Sequence, residues 1–286
     1  MREHLFRKCA AASAFHLTLY RIDANISVMK QFEEYARYYN LFYSDKDYSG
    51  EAKTVDHLIK KYGSYTGSNT PLSLLNLGCG TGRHDRELSR LGYNTKGVDL
   101  SKEMIDIAVK NYGTDQVQFD VGDIRSYSDK VSYDICTSLF HVISYQNSNE
   151  DLTAAFATAN RALKENGLFI FDCWYGPGVL SDKPAVRIKR VEDRDKIFIR
   201  HAVPDVFPEQ DLVYVNYEVI VIDKTSGISE SFTESHHMRY LFTPEIKLML
   251  ELNGFELICC LDCNTLDDVT FDSWTAYFIA RKMRNI

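Results

Sequence analysis

"LLNLGCGTGRHDREL", Leu74 to Leu88, sets Gly78, Gly80 and Gly82 between an apolar run and a charged stretch. The apolar half reads as a buried strand and the charged half as the opening of a helix. A chain gives up side chains at such a junction when its backbone must turn sharply or pass close under a ligand. Downstream, "NTKGVDL" (94–100) reads as a second strand carrying Asp99 at its end, 21 residues after Gly78. A carboxylate placed there can accept both hydroxyls of a ribose. Strand, glycine turn, helix and acidic strand end together point to a nucleoside-containing ligand.

The pattern around this stretch alternates. A helix-like segment (about 51–63) precedes the strand "LSLLNL" (72–77), and a helix runs from the glycines to Leu91. Further strands are read at 117–123, 132–140 and 168–174, with a helix opening at Ser101 and a long one from Asn149 to Gly167. Strands separated by single helices imply parallel βαβ units in an α/β, doubly wound, Rossmann-like sheet. From about 184 to 241 the rhythm changes to four strand-like runs joined by polar turns, which read as an antiparallel β insertion. Helix "TPEIKLMLELNG" follows, with Thr243 as N-cap, Pro244 first in the helix and Gly254 past its end. "FELICCLD" and "WTAYFIARK" supply two closing strands, giving seven in the α/β part. The domain reading is an N-terminal extension (1–28), with Met29 a candidate alternative start. The α/β domain occupies 29–183 and 242–286, with the insertion at 184–241 on the substrate side.

Bulk properties narrow the class. The 286 residues carry a net charge of −7, with 33 basic and 40 acidic side chains, which argues against a nucleic-acid surface. No apolar stretch is long enough to span a bilayer, so no membrane partner is expected. Seven cysteines, an odd number, and the lack of a secretory segment favour reduced thiols in a cytoplasmic protein. Cys260 and Cys263 form a C-x-x-C, but no second pair of ligands stands at suitable spacing, so they read as core cysteines rather than a metal site. Oligomeric state stays open, a homodimer included.

The glycines follow G-x-G-x-G, whereas dinucleotide-binding turns usually follow G-x-G-x-x-G. "NLGCGTG", "GVDLS" and "GDIRSY" resemble three motifs of the class I S-adenosylmethionine-dependent methyltransferases. The resemblance extends from about residue 35 to the C-terminus, and it implies S-adenosyl-L-methionine as cofactor. Gly78, Cys79, Gly80 and Gly82 would then pass beneath its methionine part, Asp99 would hold the ribose, and Leu100 would cover one adenine face. Asp123 would accept from the adenine amino group, with the Ile124 amide facing a ring nitrogen. Ser138 and Leu139 would line the sulfonium. Arg83 and His84 read as surface residues at a helix start.

"YYNLFYSDKDYSGEA" and "ESHHMRYLFTPEIKLML" resemble the methyltransferases that act on nucleotide-linked deoxyamino sugars, which close an N-terminal aromatic segment over the cofactor. That resemblance implies a small-molecule acceptor and N-methylation of a sugar amine. O-methylation of a small metabolite, a cofactor-binding protein without turnover, an RNA methyltransferase and an NAD-dependent dehydrogenase are the alternatives. Catalytic candidates come from "SLFHVISYQ", at the strand edge where open α/β sheets bind ligands. His141, a residue type suited to proton transfer, sits two residues beyond Leu139, and Tyr145 lies further along the same loop; the loop histidine of the sugar-amine enzymes aligns nearer Tyr145. Tyr39 and Tyr43, four apart, share a helix face that can meet cofactor or substrate, or simply pack. Trp174 and Tyr175 fall at the same edge of the sheet. His236 and His237 point to opposite faces of a strand, so only one can face the cleft.

Overall fold

The computed structural model describes residues 33–65 and 70–286. The proposed extension, Met29 and Cys9 lie outside the described residues. The apolar run before the glycines is strand β1 (Ser73–Leu77). Its side chains alternate between two cores, as a strand covered on both faces requires. Leu75 and Leu77 enter one cluster with Phe156, Phe169 and Phe278. Leu74 enters the other with Leu58, Leu88 and Ile170.

Strands β2 (Asn94–Asp99), β3 (Val117–Val121), β4 (Tyr133–Ser138) and β5 (Leu163–Tyr175) join β1 in the order β3-β2-β1-β4-β5, all parallel. Helices α1 (Glu33–Phe42) and α2 (Tyr48–Tyr62) precede the sheet. Helices α3 (Arg83–Arg90), α4 (Lys102–Tyr112) and α5 (Asn149–Ala162) make the connections within it. A short helix α6 (Gly176–Ser181) leaves β5. Four antiparallel strands follow: β6 (Arg187–Glu192), β7 (Lys196–Phe207), β8 (Leu212–Asp223) and β9 (Ser229–Leu241). Helix α7 (Thr243–Leu252) then leads to β10 (Phe255–Asp262) and β11 (Thr275–Lys282). β11 lies antiparallel to β5, and β10 antiparallel to β11.

β9 meets the end of β5 through two parallel pairs, Trp174 with Tyr240 and Tyr175 with Leu241. Hydrogen bonding runs on through them, so the strands form one sheet of eleven rather than the seven expected. Helix α5 is also shorter than its sequence suggests. The buried Lys282 ammonium donates to the carbonyls of Asn160 and Leu163, capping the helix there. Leu163 pairs with Tyr133, so the chain is already a strand where "LKENG" favours helix. At α7, Thr243 is the first helical residue and Phe242 the N-cap, one position from expectation.

Candidate active site

The glycine turn closes on β2. The amides of Gly78 and Cys79 both donate to the Val98 carbonyl, at 2.7 and 2.9 Å. All three glycines have left-handed φ: 81° at Gly78, 55° at Gly80 and 76° at Gly82. They differ in what surrounds them. A Cβ on Gly78 would fall 2.4 Å from the Val142 side chain, and one on Gly82 would fall 2.5 Å from Phe119. At Gly80 a Cβ would meet open space. Gly78, Cys79 and Gly80 therefore border a cavity of about 660 Å³, whereas Gly82 turns into the packing of α4 and β3 and is not on its wall.

Asp99 ends β2 at the same cavity. Its Oδ2 accepts the Gly80 amide at 2.8 Å and its Oδ1 the Ser101 amide at 2.9 Å. Burial pushes its carboxyl up, and these two amides partly offset that. Each oxygen keeps a second lone pair for a ligand hydroxyl. Leu100 and Ile124 line the wall, with Asp123. The Asp123 carboxylate is gripped by Arg125, whose Nη2 and Nε donate to Oδ2 at 2.6 and 3.0 Å. Arg125 Nη1 also donates to Asp151 at 2.9 Å. Burial works to raise the Asp123 carboxyl, but Arg125 outweighs it and holds it below the usual carboxylate range. The clamp leaves Asp123 an acceptor only.

Beyond β4, Leu139 lines the cavity. Ser138 does not: its side chain is fully buried, and its Oγ donates to the Leu77 carbonyl at 2.9 Å, bracing β4 against β1. The next two residues, Phe140 and His141, have φ of 68° and 66°. Consecutive non-glycine residues in the left-handed region are strained, and such strain gathers at functional sites. Asp172 on β5 supports the strained pair. Its Oδ2 accepts the His141 amide at 3.1 Å and stands 2.6 Å from His141 Nδ1. Nδ1 and Oδ2 are not aligned as a hydrogen bond, so that contact is electrostatic.

Tyr145 also lines the cavity, in a 3-10 turn over Val142–Tyr145. Burial holds its phenol far above the ordinary value, which removes it as a proton acceptor near neutral pH. Its hydroxyl is instead hydrogen-bonded to Nδ1 of His236 at 2.8 Å. Both His236 and His237 border the cavity, although they project from opposite faces of β9. His236 is buried against Tyr145, whereas His237 stacks on Tyr214 at 3.8 Å between ring centroids.

The N-terminal aromatic residues form part of the wall. Tyr39 and Tyr43 border the cavity with their rings 4.7 Å apart. Thr81 donates to Asn40, and Arg83 to the Tyr43 carbonyl, tying this segment to the glycine turn. Arg83 is thus a wall residue rather than a surface one. His84 is buried, 2.7 Å from Glu51. Trp174 reaches the cavity, but Tyr175 turns into the core. Cys260 and Cys263 are half-buried, and no group of three or more metal-ligating side chains occurs among the described residues.

Sequence reasoning missed Asp172, Arg125, Asp151 and the Tyr145–His236 contact. Asp172 had a signal, a lone carboxylate inside the apolar run "LFIFDCW". Arg125 lies two residues beyond Asp123, but only the fold brings in Asp151. No pattern joins Tyr145 to a residue 91 positions away.

Residues 74–167, from β1 into β5, match the methyltransferase-domain family. The dTDP-3-amino-3,4,6-trideoxy-alpha-D-glucopyranose N,N-dimethyltransferase of Streptomyces venezuelae is 29% identical over 153 residues. That match covers 52% of this chain and 61% of the relative. The sugar N-methyltransferase KedS8 from Streptoalloteichus sp ATCC 53650 shares the fold with a TM-score of 0.72 at 20% identity, over 86% of this chain and 93% of that one. S-adenosylmethionine-bound CalS10, an amino pentose methyltransferase from Micromonospora echinaspora, does so with 0.68 at 19%, over 94% and 100%.

The matched domain and the fold are those of methyltransferases, one of them solved with S-adenosylmethionine bound. Among the proteins this chain resembles are enzymes that methylate amino sugars. The open space above Gly80, beside the free lone pairs of Asp99, suits that cofactor.

Proposed function

We propose that this protein transfers a methyl group from S-adenosylmethionine to the amine of a small polar acceptor, best a nucleotide-linked amino sugar. The observation that carries the reading is one continuous cavity. It runs from the glycine turn, Asp99 and Asp123 to His141, Tyr145 and an aromatic and histidine wall supplied by β8 and β9. Gly78, Cys79 and Gly80 would lie beneath the amino-acid part of the cofactor, with Asp99 on the ribose. Leu100, Asp123 and Ile124 would surround the adenine, and Leu139 and Tyr43 would close on the methyl-bearing end.

When bound, S-adenosylmethionine supplies a methyl already activated on a sulfonium, so the protein's share is alignment and proton management. An amine attacks only when neutral. His141 is the base we assign: the Asp172 carboxylate at Nδ1 favours the proton there and leaves Nε2 to take one from the acceptor. His141 would take the proton released as the amine nitrogen accepts the methyl that the bound cofactor would supply, the cofactor departing as the neutral thioether. The same base would serve a hydroxyl, which makes sugar O-methylation the second reading.

The experiment is methyl transfer to dTDP-linked amino sugars, followed by mass spectrometry and S-adenosylhomocysteine release, with His141→Ala alongside. A product heavier by one or two methyl groups, with kcat lowered 100-fold or more in the variant, is expected. Tight cofactor binding with no transfer to amino or hydroxy sugars would overturn the reading in favour of a binding protein without turnover.

A further inference from the structure

The β9 wall of the cavity carries a polar series that the base above does not use. Glu234 and His236 stand two apart on β9, on the face that also presents Met238. His236 Nε2 lies 3.2 Å from Glu234 Oε2, and His236 Nδ1 lies 2.8 Å from the Tyr145 hydroxyl. The His236 and Glu234 side chains are only 4% and 5% exposed. Tyr217, opposite Glu234 in the β8–β9 register, sets its ring edge-on to His236 at 4.9 Å, and Arg200 lies over the Tyr217 ring.

The direction of these hydrogen bonds follows from chemistry. With Glu234 as the acceptor in this contact, the proton facing it belongs to His236 Nε2. A neutral imidazole protonated at Nε2 is an acceptor at Nδ1. The Tyr145 hydroxyl must then donate to it. A phenol has one proton, so toward every other neighbour the Tyr145 oxygen can only accept.

We propose that the Glu234–His236–Tyr145 chain fixes the Tyr145 oxygen as a hydrogen-bond acceptor and so selects a methyl acceptor that presents an N–H or O–H donor. The inference rests on the methyltransferase reading and narrows its substrate class to molecules whose donor reaches Tyr145. Tyr145 touches the substrate in this arrangement, whereas Glu234 and His236 are positioning residues. A fully substituted amine or an ether at that point would set lone pair against lone pair and bind roughly tenfold to a hundredfold more weakly.

The direct test is nitrogen NMR of protein labelled at histidine with 15N, with the His236 signal assigned by its loss in His236→Gln. The expected result at neutral pH is a proton on Nε2 and none on Nδ1. In Glu234→Gln, whose amide can donate to Nε2, the proton should move to Nδ1. A wild-type His236 protonated at Nδ1, or at both nitrogens, overturns the proposal because Tyr145 would then be free to donate. The tautomer reports the chain itself, and the acceptor KM separates a positioning role from a merely structural one.

Calorimetry and kinetics complete the test. Tyr145→Phe and Glu234→Gln should bind S-adenosylmethionine within about twofold of wild type. With a dTDP-linked amino sugar as probe, KM should rise about tenfold with a smaller change in kcat. Loss of cofactor affinity, or an unchanged KM, counts against the proposal. Failure of the wild-type protein to methylate the probe strikes the amino-sugar reading instead, and the tautomer measurement still decides the chain.

Discussion

Alanine at Gly80 and alanine at Gly82 should fail in different ways. Both positions have left-handed φ, 55° and 76°, which costs an L-residue about 1–2 kcal/mol. Gly80→Ala adds nothing to that, since its Cβ meets no atom within 4 Å. Gly82→Ala adds overpacking, because its Cβ would lie 2.5 Å from Phe119 and 3.0 Å from the Ala108 Cβ. Both neighbours are buried, at 9% and 0% exposure, and cannot swing away. Overpacking a dense core costs about 1–3 kcal/mol, so Gly82→Ala should lose about 2–5 kcal/mol in all. Urea unfolding without ligand reads these losses, and calorimetry reads S-adenosylmethionine affinity. Gly80→Ala should keep most of its stability and bind the cofactor at least tenfold more weakly, because the new methyl occupies ligand space. Equal destabilisation of the two variants, or wild-type affinity in Gly80→Ala, would refute the division of labour.

Three other perturbations address the same site. Asp99→Ala should weaken cofactor binding by about an order of magnitude by calorimetry, and it should also cost stability because the Gly80 and Ser101 amides lose their acceptor. Asp172→Asn should lower kcat 100-fold or more while leaving cofactor affinity unchanged; a small drop would sink the His141–Asp172 pair. Asp85, wholly buried under the glycine turn, has its carboxyl raised by burial to about 7 from 3.8. Below pH 4 it is protonated folded or unfolded and has no effect. As pH climbs to about 7 only the unfolded chain gives up the proton, so stability falls, by up to about 4 kcal/mol, and then levels off. Urea melts at pH 5 and 8 should show Asp85→Asn flattening that slope, with Asn76 still donating to the new amide oxygen.

The parts legible in sequence are those that short spacing encodes. The glycine turn needs only its neighbours in the chain, and Asp99 follows because the next strand must end beside it. The antiparallel strands declare themselves by alternation in "DLVYVNYEVIVID". Other expectations failed where distant contacts overrule local preference. "LKENG" leaves the helix because Lys282, more than a hundred residues away, caps Ala162's turn and β4 takes Leu163. Ser138 fell on the wrong side of its strand, since strand-end counting cannot say which of two adjacent residues faces the ligand. Tyr145 changed role because its partner comes from β9, and burial raised its phenol out of reach.

One feature bears on how the protein can be cut. The methyltransferase-domain match begins at Leu74 and ends at Gly167, yet Tyr39, Tyr43 and Tyr48 stand before it and Tyr217, His236 and Met238 after it on the cavity wall. Phe42 seats the first group among Phe198, Val219 and Val221 of the second. A fragment trimmed to the matched span would keep the glycine turn and lose the roof of its cavity. It would also end before Leu168 and so lose the part of β5 that pairs with Ile135–Ser138, baring a row of backbone donors and acceptors on β4 to self-association. The recognisable domain is therefore not the smallest working piece of this molecule.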